Sequence, residues 1–164
     1  MDELIRQIRL ASQAGLYYLA LFGALALPDI CGALASDDGK ASGPKYIEWL
    51  REYVPQQAGD AELIYGLRCS LLHQGRALPH GGAFPIAFTF PALSGVTLHN
   101  LSTLVGDDRV GWTSIPAFVD EVTTGVEGWL EQFGNTTTVT RNLGKFARLR
   151  PDGLPPHFSG PVIA

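Results

Sequence analysis

The stretch Arg68-Cys69-Ser70-Leu71-Leu72-His73 holds the most chemically pointed pair of side chains in the chain. A guanidinium can offer two parallel N–H donors to one phosphate and stays charged at any working pH. An imidazole exchanges a proton near neutrality. The two together suit phosphodiester cleavage in RNA. The 2′-hydroxyl must lose a proton, the leaving 5′-oxygen must gain one, and negative charge builds on the phosphate in between. Cys69 and Ser70 lie between the pair and are candidate supporting donors. No metal is required for this chemistry and none is expected. His73, His80, His99 and His157 are scattered, and no carboxylate accompanies them at ligand spacing. No cofactor motif is present, and no cofactor is expected.

Spacing alone leaves the pair open to other readings. Residues five apart on a helix are separated by about 140° around its axis, so they share one broad half of the surface without stacking. Arg68 reads equally as an ion-pair partner of Glu62 or Glu48, and His73 as a C-terminal helix cap ahead of Gly75. A cation in the last turn also gains from the helix dipole. Asp29 follows Pro28 and reads as the cap of a short helix, with pointing into the same cleft as the alternative. Tyr17 and Tyr18 divide between core and interface, base stacking being the other option. Cys69 as a nucleophile lacks an oxyanion site, and Ser70 lacks the tight turn of hydrolase nucleophiles.

Composition narrows the classes further. Apolar residues make up 46% and charged residues 17% of the 164, which is enough apolar surface for one folded core. The net charge is −4, unevenly placed. Residues 1–134 hold 8 Lys/Arg against 15 Asp/Glu, a net of −7, whereas residues 135–164 hold 4 against 1, a net of +3. The body therefore lacks the general basic charge of a bulk nucleic-acid binder, and only the tail favours RNA electrostatically. The two cysteines, Cys31 and Cys69, sit in apolar helical contexts and suggest neither a disulfide framework nor zinc. The apolar run from Ala14 to Leu27 has acidic Asp2 and Glu3 ahead of it and is short for a bilayer. It reads as a core helix of a soluble, cytoplasmic protein without a membrane partner.

The elements that must position Arg68 and His73 follow from periodicity. A first helix is expected over residues 3–27, apolar all round in its second half and ended or kinked by Pro28. A short helix over 30–35 follows, then a helix over 45–54 with Ile47, Leu50 and Val54 inward. Asp60 caps a fourth helix over 61–74, closed by Gly75. Residues 76–83 read as a loop. Strands are expected at 86–90 and 96–98, turning through Pro91–Gly95, with 101–105 as an addition. Ser114 caps a fifth helix carrying Phe118, Val122, Val126, Trp129, Leu130 and Phe133 inward, and Gly134 stops it. Residues 135–164 read as an extended or partly disordered tail, with a strand at 137–140. The expected organisation is a helical domain over 1–134, with a β-hairpin insertion at about 84–105, followed by that tail.

The words Leu27-Pro28-Asp29-Ile30-Cys31-Gly32-Ala33-Leu34, Lys45-Tyr46 with Trp49, and Leu67-Arg68-Cys69-Ser70-Leu71-Leu72-His73-Gln74-Gly75 resemble uncharacterised bacterial proteins of the HEPN superfamily. The resemblance covers roughly residues 4–75. It implies a mainly α HEPN-like bundle of four to five helices, here with a small β-hairpin and an extended tail. It implies a homodimer in which Arg68 and His73 of two facing helices build one cleft, acting as a metal-independent endoribonuclease on RNA. Toxin–antitoxin or phage-defence roles, with an antitoxin or partner protein, come with it. The alternatives are a non-catalytic module that binds a nucleotide or partner protein, and a structural dimer in which the pair merely holds the interface. One departure stands out. Many active members carry Asn or Asp directly after the arginine, where this chain has Cys69.

Overall fold

The computed structural model describes residues 1–77, 86–91, 96–106 and 108–164. The fold is mainly helical with a small β-sheet. Helix α1 spans Asp2–Gln13 and α2 spans Tyr17–Leu34. The helix expected over 3–27 is thus two helices, broken at Gly15 rather than at Pro28. Gly15 takes a left-handed backbone with φ 75°. Its N–H bonds the Ser12 carbonyl at 3.1 Å, and the Leu16 N–H bonds the Ala11 carbonyl at 2.8 Å. This paired closure of a helix end needs a left-handed residue just past the last turn, and glycine adopts it without strain.

Pro28 lies inside α2 instead of ending it. A proline within a helix forfeits the bond to the carbonyl four residues back, here that of Ala24. Burial repays the loss, because Ala20, Ala24, Leu25, Leu27 and Cys31 are wholly buried around that turn. α2 is the centre of the bundle and touches α1, α3, α4, α5 and α6. By length and composition it is long and apolar enough to cross a membrane, so the expectation that this run is too short does not hold for the whole helix. Half of it is buried within the fold, as suits a core helix.

Helix α3 (Gly43–Tyr53) buries Tyr46, Trp49 and Leu50, with Val54 buried just past its end, whereas Ile47 is only half-buried; the inward stripe is rotated toward the aromatics. A 3₁₀ turn over Pro55–Asp60 leads into α4 (Ala61–Gln74). Asp60 stands at the cap position but makes no capping bond through its side chain. Helix α5 (Ile115–Phe133) follows the expected pattern, with Phe118, Val122, Val126 and Trp129 buried. Ser114 precedes it, also without a side-chain cap bond.

Gly125 is where α5 comes closest to α3. A Cβ there would stand 2.6 Å from the Tyr53 carbonyl oxygen and 3.3 Å from the Trp49 ring. Overpacking against fixed backbone costs about 1–3 kcal/mol, while alanine gains about 1 kcal/mol of helix propensity. Gly125→Ala should therefore lower the melting temperature, and an unchanged or raised one would place the helices farther apart.

The sheet differs from the expected hairpin. Strands β1 (Ile86–Thr89), β2 (Leu101–Val105) and β3 (Asp108–Ser114) order as β1-β3-β2, with β2 antiparallel and β1 parallel to β3. Residues 96–98 form no strand, and the hairpin is β2–β3, reversing around Gly106 at φ 66°. All but Pro91 of the expected turn at Pro91–Gly95, and most of the loop over 76–83, lie outside the described residues.

The tail is not simply extended. Residues expected as a strand at 137–140 belong to helix α6 (Thr137–Leu143), and β4 (Leu149–Arg150) pairs with β5 (Val162–Ile163). The reason lies in α2. Its last carbonyls need donors, and the buried Asn142 amide donates to the Leu34 and Ser36 carbonyls at 3.0 and 2.8 Å. Thr138 and Arg141 also reach Asp37.

Candidate functional site: Asp29, Arg68 and His73

Arg68 and His73 meet. The Arg68 Nη1 lies 3.0 Å from His73 Nε2, so the reach of the side chains closes the 140° between their Cα positions. A guanidinium can only donate, so Nε2 must accept, which leaves the proton of a neutral ring on Nδ1. α4 ends just past His73. Gly75 adopts φ 65°, and its N–H bonds the Leu71 carbonyl at 3.0 Å. This ending leaves His73 exposed to solvent, while Arg68 stays partly buried.

Arg68 pairs with neither Glu62 nor Glu48. Glu62 is taken by Arg51, and Arg68 turns to Asp29 of α2, with Nη2 2.6 Å from Oδ2. Asp29 is therefore no helix cap. It lies within α2 and reaches the site, which sequence reasoning held as the lesser option. The two side chains are only 19% and 14% exposed, so solvent screens their attraction weakly. Burial pushes the Asp29 carboxyl above its usual range, and Arg68 pulls against that shift without cancelling it.

The Asp29–Arg68 contact is close but poorly aligned. Asp29 Oδ2 and Arg68 Nε are both buried without a well-directed hydrogen bond. Charge rather than a forked hydrogen bond holds the pair. Unsatisfied polar atoms of this kind are uncommon in a folded interior and call for a reason, a functional one included.

The turn of α2 that carries Asp29 is pinned from α3. The buried Tyr46 hydroxyl donates to the Leu25 carbonyl at 3.1 Å, one helical turn below Asp29. The Tyr46 ring packs on Tyr65 of α4 at 5.2 Å, one turn before Arg68. The neighbouring Cys69, one turn on, and burial raise the pKa of the Tyr65 hydroxyl. Ser70 is half-buried and, among the described residues, makes no side-chain hydrogen bond. The supporting roles expected for Cys69 and Ser70 thus find no contact here to Arg68 or His73, and the partner that the structure supplies is Asp29.

Other polar groups gather elsewhere. His99 Nε2 lies 2.8 Å from Glu121, while its Nδ1 accepts the Ser114 backbone N–H at 3.3 Å. The buried Gln57 donates to both Asn100 and Glu121 at 2.8 Å. Both ring nitrogens of His99 are engaged, and the cluster ties the 3₁₀ turn and the approach to β2 onto α5. No sequence spacing signals it, because its members come from three separate segments. Tyr17 is half-buried and packs on Phe90 at 5.2 Å, and Tyr18 is 69% exposed. Cys31 is wholly buried, and burial raises its thiol pKa far above the ordinary value. Among the described residues, no three His, Cys, Asp or Glu side chains gather as a metal-ligand set.

No family model matches the chain, and no curated protein or solved structure matches it either.

Proposed function

We propose that the chain is a metal-independent endoribonuclease of the HEPN type, working as a homodimer whose cleft combines the Arg68–His73 pairs of two copies. The observation that carries this reading is the 3.0 Å contact between Arg68 and His73 at the solvent-facing end of α4. A phosphate arriving there would compete with His73 for Arg68 Nη1 and free Nε2 as a base. The 2′-hydroxyl proton passes to Nε2 as O2′ attacks phosphorus. The P–O5′ bond breaks, and O5′ takes a proton from the imidazolium of the second copy's His73. The products are a 2′,3′-cyclic phosphate and a 5′-hydroxyl. Arg68 offsets charge on the non-bridging oxygens throughout.

Pairing of two copies is supported by the outer face of α4. Leu63 is 40% exposed, and a Cβ on Gly66 would meet nothing within 4 Å, so a second helix can approach closely there. Light scattering at micromolar concentration should give twice the chain mass, and a stable monomer would remove the shared cleft. Roles in toxin–antitoxin or defence systems, with a protein partner, belong to the same reading. Its test is cleavage of mixed RNAs in EDTA with identification of the ends produced.

A non-catalytic module binding a nucleotide or partner protein is the second reading. It is favoured by Asp29, which already balances the charge of Arg68. Nucleotide binding without any cleavage would support it.

A further inference from the structure

We infer that Asp29 is the positioning residue of this site: by holding Arg68 Nη2 it keeps the guanidinium head beside His73, where Nη1 rests on Nε2 until a phosphate displaces it. The inference rests on the nuclease reading for its rate effect, though not for its geometry. Arg68 has two anchored nitrogens, Nη2 on Asp29 at 2.6 Å and Nη1 on His73 at 3.0 Å. Take away the first, and among the described residues only the exposed His73 is left to hold the head of a long side chain with several rotatable bonds.

The anchor itself is rigid. Asp29 projects from a central helix, and the carbonyl one turn below it is bonded by the fully buried Tyr46 hydroxyl. That tyrosine packs on the same helix that carries Arg68. Three helices thus fix the distance between the carboxylate and the Arg68 backbone.

A purely stabilising role fits the geometry less well. Partly buried ion pairs give little net stability unless they are well aligned and fully hydrogen-bonded. Here Oδ2 and Nε both lack a directed hydrogen bond. The pair is close enough to fix the guanidinium, yet one of its donors stays unspent.

The test compares the wild-type protein with Asp29→Asn and Asp29→Glu. Ring ¹⁵N chemical shifts of His73 report which nitrogen carries the proton. In the wild type they should show the Nδ1–H form, because Nε2 accepts from Arg68. In Asp29→Asn they should move toward the mixture of an unrestrained histidine. RNA cleavage at saturating protein should fall about 100-fold, as a small misplacement of a catalytic group does, with RNA affinity unchanged. Asp29→Glu keeps the charge and should recover part of both signals. It also keeps the test open if the asparagine variant does not fold. Wild-type ring shifts with wild-type rates in the folded Asp29→Asn protein would overturn the inference, and so would faster cleavage, which would make Asp29 a competing anion. If no RNA is cleaved by the wild type, the nuclease reading fails, and the ring shifts alone decide whether Asp29 positions the pair.

Discussion

The His73→Ala protein should fold normally and lose RNA cleavage. General acid–base catalysis by one positioned side chain contributes about 10²–10⁴-fold. In a shared cleft the substitution removes both the base and the acid, so the loss should lie at or beyond the upper end. The stability side is what makes this variant informative. His73 is exposed and close to the end of α4, so truncation leaves no cavity and strands no buried charge. Arg68→Ala would be harder to read. It leaves the Asp29 carboxylate largely buried and unpaired, and removing one partner of a buried pair costs about 3–5 kcal/mol. Activity lost in Arg68→Ala could therefore be lost fold. Circular dichroism beside the cleavage assay separates the two. A His73→Ala protein that retains activity while folded would remove the histidine from the chemistry.

Phe118→Ala should produce the largest loss of stability. The side chain has no exposed surface and lies in the first turn of α5, directly after β3. Its ring meets Phe88 of β1 edge-on, with centroids 5.2 Å apart and planes at 69°. The contact therefore joins the sheet to the helical core. Truncating a buried phenylalanine costs about 3–5 kcal/mol through lost burial and the cavity left behind. Domains have only about 5–15 kcal/mol in total. The denaturant midpoint should fall steeply with little change in slope. A shift under about 1 kcal/mol would mean that the sheet and α5 barely cooperate.

Much of the helical framework was legible because its signals are local. α5 has a long apolar stripe, and α4 ends at a glycine that the left-handed conformation requires. The misses came from forces that act across the chain. Pro28 reads as a stop, yet the all-apolar surroundings of α2 carry the helix through it. Gly15 was readable as a helix end but was masked by the apolar run around it. Thr137–Thr140 has strand-like residues, and Asn142 still makes the segment helical by bonding the end of α2. β1 joins β3 in parallel across the eighteen residues 90–107, a pairing that alternation within each strand does not specify.

The site shows the same division. Arg68 and His73 lie on one helix, so their spacing exposes them to view. Asp29 sits 39 positions from Arg68, and only the packing of α2 against α4 brings the two together. Its sequence context, immediately after a proline, pointed to a cap instead. Cys69 was drawn to the site by its place between Arg68 and His73, whereas its helical angle turns it toward Tyr65.

The most direct measurement is the chemistry of the RNA ends left by wild-type and His73→Ala protein in EDTA. Wild type should leave 2′,3′-cyclic phosphate and 5′-hydroxyl termini, and the variant, folded to the same degree, should leave the RNA whole. Cleavage that stops in EDTA, cyclic ends produced equally by the variant, or RNA untouched by both would contradict the role given to Arg68 and His73.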